Sequence, residues 1–250
     1  LLHEQGSHVI ILEVRNESRF RKLSKNLRKQ GIAVELGRPL ELSSFSPWLN
    51  QLETVVISPG IAWDHPTLNA LRERGISIQG EMSISWKKLC HLPWVGITGT
   101  NGKTTVAHLL SHVMQFSGLK APMGGNVGHA AAELALSCQQ KPEDQPDWLV
   151  MELSSYQIEA APEIAPTIGI WTNLTPDHLE RHGTLEAYRK IKRGLLERSK
   201  TRIFNNDDPD LRHHRKGLPQ GLWISAEGPG TSNQPVDIWI DNEGMVASNK

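Results

Sequence analysis

Apolar residues occur along this chain in short blocks set between polar and glycine-rich stretches, and the period within each block predicts its structure. Residues 9–14 (VIILEV) form an apolar run with β-branched side chains, the pattern of a buried strand. Residues 18–30 are polar and basic, but Phe20, Leu23 and Leu27 recur at helical spacing and Gly31 ends the segment. Thr54–Ile57 (TVVI) predicts the next strand, running into the Ser58-Pro59-Gly60 turn. A helix over 66–74, a short strand over 76–78 and a helix over 81–89 follow.

A second set begins at Trp94. Residues 95–98 predict a strand, then a glycine-rich loop, then a helix from Lys103 to about Phe116. A helix over 130–137 precedes buried strands at 148–152 (WLVME) and 167–172 (TIGIWT). Residues 185–198 are helical by pattern, and 202–204 and 222–224 predict strands. Residues 227–235 read as a Gly/Ser/Pro-rich connection. Strands alternating with helices imply an α/β fold with parallel sheets and helical crossovers. A domain boundary is expected near residues 91–93, dividing the chain into 1–91 and 92–250.

Composition narrows the classes. Lys plus Arg equals Asp plus Glu at 27 each, so bulk charge offers nothing to nucleic acid or an anionic membrane, although a local anion site remains open. No apolar run approaches the roughly 20 residues needed to span a bilayer. Two cysteines, Cys90 and Cys138, make no disulfide framework; an intracellular setting fits better, and both read as small buried hydrophobes.

The chemistry concentrates in the second set. Gly99, Thr100, Asn101, Gly102, Lys103, Thr104 and Thr105 follow a strand and open a helix, the context that makes a phosphate loop credible. Glycines let backbone N–H groups turn inward, and a helix N-terminus adds partial positive charge. Lys103 is placed to reach the β- and γ-phosphates of a nucleotide, and the Thr104 hydroxyl to ligate Mg²⁺. The strict pattern has a glycine five positions before Gly102, where this chain has Ile97. Glu152 ends the strand WLVME, and His178 follows the next strand, so both should reach the crevice at the carboxyl ends of a parallel sheet. Alone, each reads as a cap or a loop residue; beside a phosphate loop they favour a divalent-cation site. Lys192, among Arg189, Lys190 and Arg193, reads by spacing as part of a solvated basic face. Asn126, in GGNVG, reads as a turn residue.

Together these segments resemble the Mur ligase family. TGTNGKTT (98–105), GGNVG (124–128), ELSSYQIE (152–159) and NLTPDHLERHGTLEAYRKIK (173–192) stand in that family's order, with SPGIAWDHP (58–66) ahead of them. The resemblance covers essentially the whole chain, and ELSSYQIE favours the branch that adds D-glutamate. It implies a Rossmann-like substrate domain over 1–91 and a P-loop ATPase domain over 92–250. A preceding first strand and a following amino-acid-binding domain are expected outside the chain, so the 250 residues alone should have little ligase activity. The implied cofactors are ATP and Mg²⁺, and the implied substrates are UDP-N-acetylmuramoyl-L-alanine and D-glutamate. Lys103 and Thr104 would hold phosphates and a metal ion. Glu152, His178 and Lys192, the last carbamylated, would complete the metal and catalytic set. Arg15, Gly60, Asn126, Ser154 and His178 would approach the substrate. A monomer in the bacterial cytoplasm, without nucleic-acid or membrane partners, is the implied setting. Two other classes share part of the pattern. A P-loop ATPase or kinase would not need the first domain, and a non-catalytic UDP-sugar or nucleotide module would not need Glu152, His178 and Lys192 in this register.

Overall fold

The alternating blocks fold, in a computed structural model that describes residues 1–231 and 233–248, into two units: Leu1–Gln79, and the chain from Gly80 onward. Ser232, in the expected 227–235 connection, and the last two residues of the expected 92–250 domain lie outside the described residues. In the first unit β1 (Ile10–Glu13) pairs in parallel with β2 (Ala33–Leu36), joined by α1 (Ser18–Lys29). Then come the short α2 (Leu42–Phe45), β3 (Thr54–Ile57), α3 (Pro66–Arg72) and β4 (Ser77–Gly80), with β3 paired to β4. Phe45, Ile57, Leu68, Leu71 and Ile76 form its core. Strand β2 was not expected from AVEL: only Val34 of its four residues is fully buried, so it carries little hydrophobic signal.

The second unit takes in α4 (Glu81–Leu89), which lies ahead of the boundary expected near 91–93. Polar contacts bind this helix into the unit. The Ser83 hydroxyl donates to Ala160 O at 3.3 Å, and Glu81 accepts the Ala132 N–H at 2.7 Å.

The elements that follow are β5 (Trp94–Thr98), α5 (Lys103–Phe116), β6 (Met123–Gly125), α6 (Ala131–Gln140), β7 (Leu149–Glu152), α7 (Ser155–Glu159) and β8 (Ile168–Trp171). After them come α8 (Leu179–His182), α9 (Leu185–Arg198), β9 (Thr201–Asn205), α10 (Pro209–His213) and β10 (Leu222–Ser225). The expected loop at 227–235 contains a small hairpin, β11 (Gly230–Thr231) with β12 (Gln234–Pro235), before β13 (Ile238–Ile240) and β14 (Val246–Ser248).

The large sheet has the order β14-β13-β10-β9-β8-β5-β7-β6. It is parallel from β13 to β6, with β14 antiparallel at one edge. Every residue of β5 and β7 is buried, as expected of strands covered on both faces. Val95, Ile97, Ala107, Ala121, Met123 and Val150 pack one core cluster. From β5 the chain goes first to the β7–β6 side and returns on the β8 side. The order therefore switches at β5, and ligand crevices in such sheets open at the carboxyl ends of the strands beside the switch. Cys90 departs from expectation: it is exposed at the end of α4, while Cys138 is half-buried.

Candidate functional site

The phosphate loop leaves β5 at this switch and enters α5. Gly102 caps the helix with φ 76°, a left-handed conformation that glycine adopts without penalty. Gly99 has φ 151°, and a Cβ there would lie 1.9 Å from Thr172 Oγ1, so the loop can approach the segment after β8 this closely only with glycine. The Lys103 ammonium donates to Gly99 O at 2.9 Å and Thr100 O at 2.8 Å, which folds the side chain over its own loop. Burial lowers its pKa, while Glu152 and Asp177 oppose the shift. The first-turn N–H groups of α5 have no intrahelical acceptors, so with Lys103 they form an anion cradle.

Glu152 closes β7 with only 1% of its surface exposed. Register places it beside Ile97 of β5 on one side and Gly125 of β6 on the other. Its Oε2 accepts the Thr104 hydroxyl at 2.8 Å, and its Oε1 accepts the Asn126 amide at 2.9 Å. The Asn126 backbone N–H also donates to Glu152 O at 2.9 Å, so the GGNVG turn is fastened to the end of β7. A buried carboxylate, a hydroxyl and a carboxamide give hard oxygen donors, the set that suits Mg²⁺. The donors present therefore fit that ion. Among the described residues no three His, Cys, Asp and Glu side chains gather closely enough to hold a metal.

His178 heads α8 with φ 53°, the one non-glycine residue among those described with positive φ. Backbone held in this region is unfavourable and concentrates at functional positions. Its ring is half-exposed, with Nε2 3.4 Å from Asp177 and Nδ1 3.8 Å from Glu180, and it lies 5.1 Å from the Tyr156 ring. Behind it, His182 stacks on Tyr188 at 5.4 Å, and its Nε2 lies 2.9 Å from the Ser155 hydroxyl. Burial lowers the His182 pKa. Burial likewise raises that of the Tyr188 phenol, with a Thr100 hydrogen bond pulling the other way.

Lys192 overturns the reading that spacing suggests. It is 1% exposed, and its ammonium donates to Gly99 O at 2.9 Å and Thr98 Oγ1 at 3.3 Å, beside the Tyr188 ring at 4.5 Å. Burial, reinforced by nearby Lys103 and opposed by Asp177, lowers its pKa to about 7. Arg189 is also buried, paired with Asp210 at 2.7 Å and with Glu186. The buried stripe of α9 is Tyr188, Arg189, Lys192, Leu195 and Leu196, so a lysine within an apolar i, i+4, i+7 pattern was the available signal.

Lys103, Thr104, Glu152, Asn126 and Lys192 thus converge around one loop. Ser154 serves as the N-cap of α7 in a capping box with Gln157, the role that local sequence best explains. Arg15 and Gly60 belong to the first unit, where Arg15 forks onto Glu13 at 2.9 Å and 3.0 Å and stacks on Phe20 at 4.2 Å. The residue reasoning overlooked is Asn173, whose carboxamide bonds Thr100 and Asn101. Its position in the 173–192 block was the one hint available.

Known proteins resemble this chain along its length. The Mur ligase middle domain matches residues 97–229. A UDP-N-acetylmuramoylalanine–D-glutamate ligase of Prochlorococcus marinus (strain MIT 9313) is 69% identical over 246 residues, 98% of this chain and 54% of that protein. The same-named ligase of Synechococcus sp. (strain CC9605) is 59% identical over 249 residues, 100% of this chain and 54% of that protein. The chain spans about half the length of the curated relatives it matches. Among solved structures, the UDP-N-acetylmuramate:L-alanyl-gamma-D-glutamyl-meso-diaminopimelate ligase of Neisseria meningitides superposes with TM-score 0.62 at 16% identity, over 100% of this chain and 79% of that one. The UDP-N-acetylmuramate-alanine ligase of Thermotoga maritima gives 0.52 at 19%, over 91% and 49%. At such identities these two likenesses speak for the fold alone.

Proposed function

The chain belongs to the Mur ligase family, and from that premise we propose that it is the substrate-binding and ATP-binding part of an enzyme joining D-glutamate to UDP-N-acetylmuramoyl-L-alanine. The observation that carries this reading is the convergence on one phosphate loop of a buried carboxylate and a buried lysine. The identity to relatives named for that reaction supports the choice of acceptor and amino acid.

In the proposed reaction the substrate carboxylate attacks the γ-phosphorus of ATP and ADP leaves. The amine of D-glutamate then displaces phosphate from the acyl phosphate and loses a proton as the amide forms. Most of the protein's leverage in such a step is electrostatic. The α5 amides and Lys103 receive the phosphates. Thr104 and Glu152 would hold Mg²⁺, which supplies charge neutralisation at the phosphate oxygens. Asn126, fixed by Glu152, and His178, fixed by its backbone and by Asp177, face the acceptor. Lys192 is suited to carbamylation: a lysine near pKa 7 presents its lone pair at neutral pH, which adds to the carbon of CO2 as one proton leaves. The product is an anion that serves a cation site where an ammonium could not. Residues of the first unit, including Arg15 and Gly60, would receive the uridine diphosphate.

No helix among the described residues is long and apolar enough to cross a membrane. The likeness to the relatives, not this absence, is the ground for proposing a monomeric enzyme of the bacterial cytoplasm. The test offers the full-length protein UDP-N-acetylmuramoyl-L-alanine and ATP with D-glutamate, L-lysine, meso-diaminopimelate or L-alanine. Amide formation with D-glutamate alone, abolished by Lys103→Ala, is the expected result. ATP turnover indifferent to every acceptor would overturn the reading in favour of a simple P-loop ATPase.

A further inference from the structure

Asn173 lies two residues beyond the end of β8, next to the phosphate loop. It reaches that loop because β5 and β8 are parallel neighbours, with Thr98 opposite Trp171. Its Oδ1 accepts the Thr100 N–H at 3.1 Å and the Asn101 N–H at 2.8 Å, and its Nδ2 donates to Asn101 O at 3.0 Å. Its backbone carbonyl also accepts the Thr100 N–H, at 3.1 Å, and the Trp171 indole N–H, at 3.1 Å. Next to it, the Thr172 hydroxyl donates to Asn101 O at 2.8 Å, and Thr175 N–H donates to the Thr100 hydroxyl at 3.0 Å. One carboxamide therefore satisfies three backbone groups of two consecutive loop residues.

These contacts fall at the weakest place in the loop. Gly99, Thr100, Asn101 and Gly102 belong to no strand or helix, and the two glycines hold φ of 151° and 76°. Glycine is the residue with most freedom to lose, so such a loop samples many conformations unless something outside it selects one. The glycine of the strict phosphate-loop pattern is also replaced here by Ile97, which is buried in β5 and belongs to the core. The Asn173 side chain acts from the segment that follows the adjacent strand and fixes the two residues that precede the helix cap. The amides from Gly102 to Thr105, at the head of α5, are then left aimed at the crevice where Lys103 lies.

We propose that Asn173 is a positioning residue for the nucleotide, holding Thr100 and Asn101 so that the cradle at the head of α5 is formed before phosphate binds. The proposal rests on the reading of this loop as the ATP site. Its energetic logic is preorganisation: ordering already complete in the free protein does not count against binding. Asn173 need not touch ATP to do this.

The experiment compares wild type, Asn173→Ala and Asn173→Asp in the full-length protein. ATP affinity is measured by calorimetry with Mg²⁺ present, and backbone amide exchange is measured in the ligand-free proteins. In Asn173→Ala the amide of Asn101, which loses its acceptor, should exchange faster, and that of Thr100, which keeps the Asn173 backbone carbonyl, less so, while those of β7 and α9 do not change. ATP affinity should fall about tenfold or more, as expected when the Asn101 N–H loses its acceptor and the Thr100 N–H keeps only the Asn173 backbone carbonyl. Asn173→Asp keeps an acceptor oxygen, so it should restore protection of both amides. Unchanged ATP affinity in Asn173→Ala would overturn the proposal. So would faster exchange throughout β7 and α9, which would assign Asn173 to the stability of the sheet. If wild type binds no ATP, the nucleotide reading itself fails; unchanged loop exchange in Asn173→Ala would then independently refute the bracing role.

Discussion

Replacing Lys192 with methionine should change how the stability of the second unit depends on pH. The side chain is 1% exposed, and its pKa falls from the ordinary 10.5 to about 7. Between those values the unfolded chain binds a proton that the native chain does not. Stability therefore rises with pH across that window, by about 1.4 kcal/mol per pH unit from this group alone. Below pH 7 both states are protonated and the cost of burying the ammonium is at its largest. Above 10.5 neither is, and the cost is gone. Wild type should gain about 2 kcal/mol between roughly pH 7.5 and pH 9 that Lys192→Met does not gain. Methionine fills similar length without a charge, so the variant should also be the more stable of the two at pH 7. The assay is urea unfolding under CO2-free buffer, so that the amine stays unmodified. It is followed by the fluorescence of Trp94 and Trp171, both fully buried in this unit. Parallel pH profiles for the two proteins would refute the reasoning, because they would mean that Lys192 titrates alike in the folded and unfolded chains.

Four other substitutions probe the site and the elements that hold it. Glu152→Gln can still accept from Asn126 through its oxygen and donate to Thr104 through its amide, so unfolding free energy should drop by only about 1–2 kcal/mol. Any enhancement of ATP affinity by Mg²⁺ should shrink about tenfold or more in calorimetry, and undiminished enhancement would remove Glu152 from the cation site. Gly99→Ala brings a Cβ against Thr172 Oγ1 and should destabilise by about 2 kcal/mol or more in chemical denaturation. Gly102→Ala, with open space around it, should cost about 1–2 kcal/mol through its left-handed φ alone. Equal losses would show that backbone strain, not the close approach to Thr172, governs both positions. Ser154→Ala should cost about 1 kcal/mol through loss of the α7 cap, read from the same denaturation curves, and no loss would count against the capping role.

Much of this site could be read along the chain because its parts are local. A glycine loop between an apolar strand and a helix, and an acid ending a wholly apolar strand, are patterns of contiguous residues. Periodicity was enough to place α4, α5 and α9 at their observed limits. The parallel arrangement followed from the alternation of strands and helices. What lay beyond the sequence depended on which strands are neighbours. Only with β8 beside β5 does the carboxamide of Asn173 meet amides 72 and 73 positions earlier in the chain. Only the packing of α9 beneath the loop turns Lys192 from one cation among four into a buried amine near neutrality. The boundary moved for the same reason: Glu81 and Ser83 bond backbone far ahead of them in sequence. Periodicity reports which face of an element is apolar, because burial of that face is a property of the element itself. Hydrogen bonds, desolvation and the resulting shifts in pKa are properties of pairs, and the tertiary fold decides which pairs form.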